Sequence, residues 1–310
     1  MMLSHLQELL ENGTFVVTAE IGPPKGSDSS IITRKASFLH DVADAFNITD
    51  NQTAVVRLSS LAGAIIVKKC GLEPIVQFSC RDRNRLALQS EVLGASALGI
   101  HNMLFITGDH QSLGNHPQAL GVYDIDSIHL VQMVKRMRDE KVFQNGEPIK
   151  FTSPQVFIGA VSNPFSTPLH HRIPRLEKKI CAGADFIQTQ SIFDIDRFCS
   201  WMDEIRNRGI DKDIHIIAGV TPLKSVKMMK RMKYHVPGVE IPDDIETRIL
   251  QAADPKKEGF AIARDLISRI KTISGVHGIH ITALFWEDII PSLVKDTELY
   301  PRPKKKDNIR

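Results

Sequence analysis

The chain contains little of several residue types that would mark a specialised class of protein. Its 310 residues include 4 cysteines, 2 tryptophans and 3 tyrosines, and no window reaches 18 uninterrupted apolar residues. The cysteines lie far apart without a CxxC motif, so we expect free thiols in a reducing, cytoplasmic compartment, and neither an iron–sulfur cluster nor structural zinc. The short apolar runs argue against a membrane span. Charged side chains within residues 1–12 argue against a secretory signal peptide.

An excess of charge of one sign is also absent. Lys and Arg number 39 and Asp and Glu number 36, which leaves a formal net charge of +3. That balance is too small to indicate a nucleic-acid partner. The basic cluster at 301–306 falls in a C-terminal tail, 299–310, which we expect to be solvated; docking onto a partner is the alternative. We expect no bound metal, because no residue spacing matches a set of metal ligands.

What the chain does contain is a repeated alternation of strand and helix patterns. Short apolar runs rich in β-branched residues are typical of buried parallel strands, and they fall at 15–20, 45–50, 74–80, 102–109, 156–162, 186–190, 214–220 and 278–284. Helical spacing of apolar residues covers 29–42, 84–98, 125–137, 169–182, 194–208, 224–234, 243–253 and 258–273.

Eight strands alternating with helices predict a (β/α)₈ barrel, of the α/β class. Residues 1–298 are therefore expected to form one domain, with an extra helix between strands seven and eight. An open doubly wound sheet is the alternative fold. Against it, no G-x-G-x-x-G motif follows the first strand, and no G-x-x-x-x-G-K-[ST] motif occurs in the chain.

Polar residues at the strand ends are the candidate active-site groups, because barrel enzymes build their sites at the carboxyl ends of the strands. Glu20 is the only acid in a long apolar stretch. Burial should raise the pKa of its carboxyl group and suit it to general acid catalysis near neutral pH. A glutamate that caps a helix or anchors a loop is the alternative interpretation.

Asp109 and two glutamines are the next candidates. Asp109 follows Gly108, and glycine allows a backbone to approach a ligand closely; a turn or N-cap aspartate is the alternative. His110 is more typical of a solvent-facing loop than of a catalytic base. Gln188 and Gln190 should share one strand face, where their amides match the edge of a pterin ring, unless they are buried structural amides.

Seven segments taken in order resemble one known family, methylenetetrahydrofolate reductase, a flavoprotein with a (β/α)₈ barrel. The resemblance covers nearly the whole chain, and its TGDH and YDIDS pieces look most like the branch of anaerobes that use the reductive acetyl-CoA pathway. The segments are 19–24 (AEIGPP), 47–50 (NITD), 107–110 (TGDH), 122–127 (VYDIDS), 182–194 (AGADFIQTQSIFD), 218–222 (AGVTP) and 275–280 (GVHGIH).

The resemblance implies bound FAD and reduction of 5,10-methylenetetrahydrofolate to 5-methyltetrahydrofolate. It makes Glu20 the general acid and Asp109 a second catalytic residue that binds folate and tunes the flavin. Glu20, Asp109, Gln188 and Gln190 are the expected substrate contacts. The expected flavin contacts are Thr49, Gln77, Thr107, Gly108, Asp109, His110, Asn163 and Lys179.

Three positions depart from the better-known branch of the family. Thr107 stands where that branch has an arginine that contacts the flavin, Gln77 replaces a histidine in strand three, and Asn163 falls at a tyrosine. These departures leave the flavin affinity and potential undetermined.

The electron donor and the assembly state stay open. NAD(P)H or a partner subunit with iron–sulfur centres could reduce the flavin, and either a homo-oligomer or a hetero-oligomer is compatible with the sequence. A flavin-free pterin-binding barrel that presents methyl-folate to a corrinoid methyltransferase system is a different class of function. A structural subunit that has lost activity is a third, which the retained Glu20, Asp109 and Gln190 disfavour.

Overall fold

The strands close into a parallel (β/α)₈ barrel, as predicted. The computed structural model describes residues 4–236 and 238–304. The strand order is β1 to β8 in sequence, and β1 also pairs with β8, for example Val17 with Ile279. The strands are β1 Val16–Glu20, β2 Ala45–Ile48, β3 Pro74–Ser79, β4 Asn102–Ile106, β5 Phe157–Ser162, β6 Phe186–Ser191, β7 His215–Val220 and β8 Gly278–Ile281.

Helices surround this barrel wherever apolar spacing predicted them, and three α-helices, α8 to α10, separate β7 from β8. Helices α1, α3 and α11 were not predicted from the sequence. In the described residues no helix is both long enough and apolar enough to cross a membrane. The α-helices are α1 His5–Glu11, α2 Ser30–Ser37, α3 Ser60–Lys69, α4 Arg85–Ala97, α5 Ser127–Asp139, α6 Arg172–Ala182, α7 Ile195–Asn207, α8 Val226–His235, α9 Asp243–Gln251, α10 Pro255–Ile270 and α11 Ile290–Asp296.

Two apolar cores hold the barrel together. The larger one lies between the strands and the helices that cover them. The smaller one fills the barrel interior near the amino-terminal ends of the strands. There Leu6, Leu9 and Leu10 of α1 pack against inward-facing strand residues such as Ile75 and Phe186. Helix α1 therefore closes the amino-terminal end of the barrel, so the carboxyl ends of the strands form its open mouth.

The start of the basic tail is tied to the barrel. The Arg302 side chain, 7% exposed, pairs with the fully buried Asp44 at 2.6 Å and donates to the Phe15 carbonyl oxygen at 2.8 Å. This differs from the expected solvated tail, because Asp44 is a buried carboxylate that Arg302 neutralises. Lys305 and Lys306 lie outside the described residues.

Candidate active site

Glu20 ends β1 at the mouth of the barrel and is buried there, with 8% of its surface exposed. Burial raises the pKa of its carboxyl group to about 7. The Lys35 ammonium opposes this rise and the Glu287 carboxylate adds to it. Burial is thus the main cause of the raised pKa, as predicted, and Glu287 is the acid that adds to it. A carboxyl group with this pKa can both hold and release a proton near neutrality.

Two buried hydroxyl groups at the strand ends have no hydrogen-bond partner among the described residues: that of Thr49, near Glu20, and that of Ser79, beside Gly108. Thr49 and Glu20 both lie close to Gly22: a Cβ on that glycine would lie 3.9 Å from Thr49 Oγ1 and 3.8 Å from Glu20 Oε1. Unsatisfied buried hydroxyls are rare in folded proteins. Both hydroxyls are therefore candidates for hydrogen bonding to a ligand.

Asp109 lies across the mouth from Glu20 and is joined to it through two adjacent residues. The Gln52 side chain hydrogen-bonds to the Glu20 carboxylate, and the backbone N–H of Thr53 donates to Asp109 Oδ2 at 3.0 Å. Gly108 precedes Asp109 with a φ of +89°. A Cβ there would lie 3.0 Å from Arg81 Cβ, so both space and conformation require glycine.

Arg81 holds the loops that carry these groups. Its guanidinium is almost fully buried and donates to the Asn51 carbonyl oxygen at 3.2 Å and to the Asp109 carbonyl oxygen at 3.1 Å. The adjacent Asp82 accepts two further hydrogen bonds from it, at 2.8 and 2.7 Å. One side chain therefore fixes the loop after β2 against the loop after β4. Arg81 was not among the residues predicted for the site.

A cavity of about 450 Å³ opens between the carboxyl ends of β4, β5 and β6 and the face of α6. It brings together six residues predicted for the site, Thr107, Gly108, Asp109, Asn163, Lys179 and Gln190, and Thr189 also lines it. Glycine and hydroxyl residues line its floor, so a planar polar ligand could approach the strand ends closely.

The helix side of this cavity is positively charged. Lys179 is 7% exposed, and its ammonium donates to the Val161 carbonyl oxygen. Burial, reinforced by Arg175, lowers the pKa of Lys179 to about 8, while Asp126 opposes the change. Arg172 and Arg175 also line the cavity. The 172, 175, 179 spacing places all three cations on one helix face, a signal that could have identified Arg175 from the sequence.

Gln188 faces the barrel interior rather than the cavity. Its amide exchanges two hydrogen bonds with Asn47, at 2.6 and 3.1 Å. Beside them the Thr18 hydroxyl lies 2.9 Å from Nδ1 of His280, and burial lowers the pKa of His280 to about 4. These four residues form a polar layer beneath the mouth, and Gln188 is committed to it.

The alternation expected for the two glutamines is broken by an irregularity in β6. Its register against β7 shifts between Gln188 and Ser191, and both Thr189 and Gln190 line the cavity. The Thr189 hydroxyl also accepts from the Gly219 N–H at 2.9 Å. A bulge of this kind adds a residue and re-aims the side chains that follow.

Gln77 and His110 do not line the cavity, and Gln77 is buried in β3. Asn163 lines the cavity, and its amide donates to the Gly238 carbonyl oxygen at 2.9 Å. His110 is exposed, and its ring pairs with the nearby Ser112 hydroxyl at 2.7 Å. Within residues 4–236 and 238–304 no group of three histidine, cysteine or acidic side chains could hold a metal ion.

The fold and the mouth together define a barrel with a buried acid, a second acid opposite it and a cationic cavity. The family model for methylenetetrahydrofolate reductase matches residues 5–298. The chain therefore belongs to the methylenetetrahydrofolate reductase family.

Two relatives in this family are each about a quarter identical to the chain. "Methylenetetrahydrofolate reductase 2" of Schizosaccharomyces pombe is 25% identical over 96% of this chain and 48% of its own length. The chain thus spans about half of that relative. "5,10-methylenetetrahydrofolate reductase" of Pectobacterium carotovorum is 24% identical over 71% of this chain and 67% of its own length.

A solved structure with the same fold comes from Clostridium thermocellum. This uncharacterised protein binds two copies of 5-methyl-5,6,7,8-tetrahydrofolic acid, and it superimposes with a TM-score of 0.66 at 15% identity. The match covers 96% of this chain and 99% of that one. At this identity the likeness supports the fold alone.

Proposed function

We propose that this protein reduces 5,10-methylenetetrahydrofolate to 5-methyltetrahydrofolate with hydride from bound FAD, and that Glu20 is the general acid. The observation that carries the proposal is the buried Glu20 carboxyl, with a pKa raised to about 7, at the mouth of a family barrel. A glutamate in water would be almost fully ionised at neutral pH and would be a poor proton donor.

The residues at the mouth fit a flavin dinucleotide. The cations of Lys179, Arg172 and Arg175 suit a pyrophosphate, and the unpaired hydroxyls of Thr49 and Ser79 suit the polar edge of a ring system. Thr107, Gly108 and Asn163 would line the same ligand. Bound FAD would supply the hydride, which the protein's own side chains cannot carry. Gln77 and His110 remain predicted contacts.

The protein's own contribution is a proton delivered to the substrate. In 5,10-methylenetetrahydrofolate the methylene carbon bridges two nitrogens. Glu20 would donate its proton to one nitrogen as that nitrogen's bond to the methylene carbon breaks, which leaves a reactive iminium on the other nitrogen. Hydride addition to this carbon then gives the methyl group. Asp109 and Gln190 would hold the folate ring, and Gln188 would support it from the layer beneath.

Two electron donors remain candidates, NAD(P)H and a partner subunit with iron–sulfur centres. Bleaching of one equivalent of bound flavin by NADH in the isolated chain supports direct reduction. A bound flavin that neither NADH nor NADPH reduces, but that photoreduction does reduce, supports electron transfer from the iron–sulfur partner subunit.

A flavin-free folate-binding barrel is the second candidate function. The Clostridium thermocellum neighbour, which binds 5-methyl-5,6,7,8-tetrahydrofolic acid, favours this possibility. Such a protein would present methyl-folate to a corrinoid system without any redox step. A colourless preparation that binds folate but takes up no FAD would support it, whereas a yellow preparation excludes it.

Replacing Glu20 tests the central assignment. We expect Glu20→Gln to keep the flavin spectrum but to slow reoxidation of the reduced flavin by methylenetetrahydrofolate at least about 10²-fold, because a general acid typically contributes that much. Stopped-flow absorbance measures both half-reactions. Glu246→Gln, which changes a half-buried glutamate on α9, is the matched control. Normal folate turnover by Glu20→Gln would refute the assigned role.

Replacing Asp109 separates folate binding from flavin reduction. We expect Asp109→Asn to weaken binding of methylenetetrahydrofolate, because the amide loses the charge that the folate ring would meet. Reduction of the flavin by its donor should continue at a rate close to that of the unchanged protein. If the folate affinity stays the same in a substrate titration, Asp109 does not contact the folate.

A further inference from the structure

An ion pair lies beside Glu20 and joins two loops at the mouth. Lys35 of α2 and Glu287, which follows β8, approach to 2.5 Å between Nζ and Oε1, and their side chains are 16% and 13% exposed. Lys35 also donates to the Gly22 carbonyl oxygen at 3.2 Å. Gly22 is two residues beyond Glu20, so Lys35 fastens the loop that carries the acid.

Four groups from three parts of the structure act on the Glu20 carboxyl. They are Lys35 of α2, Gln52 and Arg57 of the loop after β2, and Glu287 of the loop after β8. Gln52 contributes a hydrogen bond, and Arg57 is anchored by donating to the Pro23 carbonyl oxygen at 3.1 Å. Two cations and one anion therefore surround a group that the reaction requires in its neutral form.

The hydrogen bond from Lys35 to Gly22 places a positive charge close to the Glu20 carboxyl group. The Lys35 ammonium stabilises the ionised form of that carboxyl group, whereas a general acid must be protonated. Glu287 places a compensating negative charge on the same ammonium. A purely structural ion pair at this depth could be exchanged for an apolar pair at little cost in stability. Here each partner alone would change the proton occupancy of Glu20.

We propose that Lys35 and Glu287 are positioning residues for Glu20: Lys35 fixes its loop, and Glu287 neutralises Lys35 so that Glu20 stays protonated until it meets substrate. The inference rests on the general-acid role proposed above for its catalytic meaning. The effect on protonation is a property of the protein without substrate and can be measured directly.

The test is a pair of variants with opposite expected effects. Glu287→Gln leaves Lys35 uncompensated, so the pH midpoint at which Glu20 ionises should fall by about one pH unit or more. Lys35→Met leaves Glu287 uncompensated, so the midpoint should rise. The double variant Lys35→Met/Glu287→Gln should return toward the original midpoint, because both charges are gone.

Infrared spectroscopy of the full chain reports this midpoint through the carbonyl band of the protonated carboxyl group. The Glu20→Gln variant identifies the band by difference. Lys233→Met and Glu246→Gln are matched controls, since that ion pair joins α8 to α9 at 2.7 Å with side chains each 15% exposed. Both controls should leave the Glu20 band and its midpoint unchanged.

The outcomes separate the inference from the proposed reaction. Midpoints that move in opposite directions, with reversal in the double variant, support the inference even if no folate is reduced. Midpoints that stay constant overturn it even if folate reduction depends on Glu20. If Lys35→Met fails to fold by circular dichroism, Glu287→Gln still decides the matter, because an unchanged midpoint in that variant alone is sufficient to refute the inference.

Discussion

Two buried titratable groups have opposite effects on stability as the pH changes. Glu20 has its pKa raised from 4.5 to about 7 by burial, and His280 has its pKa lowered from 6.5 to about 4 by burial. Between about pH 4.5 and 7 the folded protein keeps a proton on Glu20 that the unfolded chain releases, so the Glu20 contribution to stability falls as the pH rises. His280 behaves in the opposite way between about pH 4 and 6.5, because there the unfolded chain binds a proton that the folded protein lacks.

Substitution of Glu20 should therefore reveal a pH dependence of the free energy of unfolding that Glu20 and His280 together nearly cancel. Each shift corresponds to about 3 kcal/mol, and the two nearly cancel where their ranges overlap. In Glu20→Gln only the His280 effect remains, so the free energy of unfolding relative to the unchanged protein should increase by about 3 kcal/mol between pH 4.5 and pH 7. Urea denaturation across this range measures the difference. A difference that is constant with pH would show that burial does not raise the Glu20 pKa.

At the scale of elements, the loops after β2 and β4 depend on each other. Asn51, Thr53 and Ala54 all have positive φ values, of 44°, 59° and 53°, which are costly for residues other than glycine. The contacts from Arg81 to Asn51 and from Thr53 to Asp109 hold this conformation in place. Sequence patterns could not reveal it, because no glycine marks the turn.

Arg81→Lys should separate site geometry from general stability. A lysine cannot bridge two carbonyl oxygens and a carboxylate, because it lacks the planar fork of arginine. Arg138 is the matched control: it bonds to the adjacent Asp139, to Asp185 and to the Val156 carbonyl oxygen. We expect both lysine variants to lose about 2 kcal/mol of stability.

Only the Arg81 variant should also bind folate more weakly, because Arg81 fixes the backbone of Asp109. Urea denaturation gives the stability of each variant, and a substrate titration gives the affinity. Equal folate affinity in the Arg81 and Arg138 variants would contradict the positioning role of Arg81.

The strands could be predicted from the sequence because parallel barrel strands are buried on both sides and contain continuous apolar residues. The inward position of Glu20 at the end of β1 follows from the same pattern. The direction of Gln188 did not follow, since its reciprocal bonds with Asn47 join residues 141 positions apart. The prediction of a solvated tail was wrong for Arg302, because its partner Asp44 is distant in the sequence and comes close to it only in the folded chain.

At the scale of the whole molecule, one end of the barrel is closed by packing and the other end carries the candidate active site. Helix α1 and Arg302 close the amino-terminal end with apolar packing and a buried ion pair. The opposite end carries Glu20, Asp109 and the cationic cavity. The polar layer of Thr18, Asn47, Gln188 and His280 lies between the two ends. Hydrogen-bonded side chains therefore lie directly beneath the mouth.

The most direct test of the proposed reaction is one anaerobic turnover of the FAD-loaded protein. The flavin is first photoreduced, then mixed with methylenetetrahydrofolate, and the absorbance of oxidised flavin is followed while the folate products are analysed. The proposal predicts that oxidised flavin returns and that one 5-methyltetrahydrofolate forms for each flavin oxidised. A protein that takes up no flavin, or a reduced flavin that persists in the presence of bound folate, would contradict it.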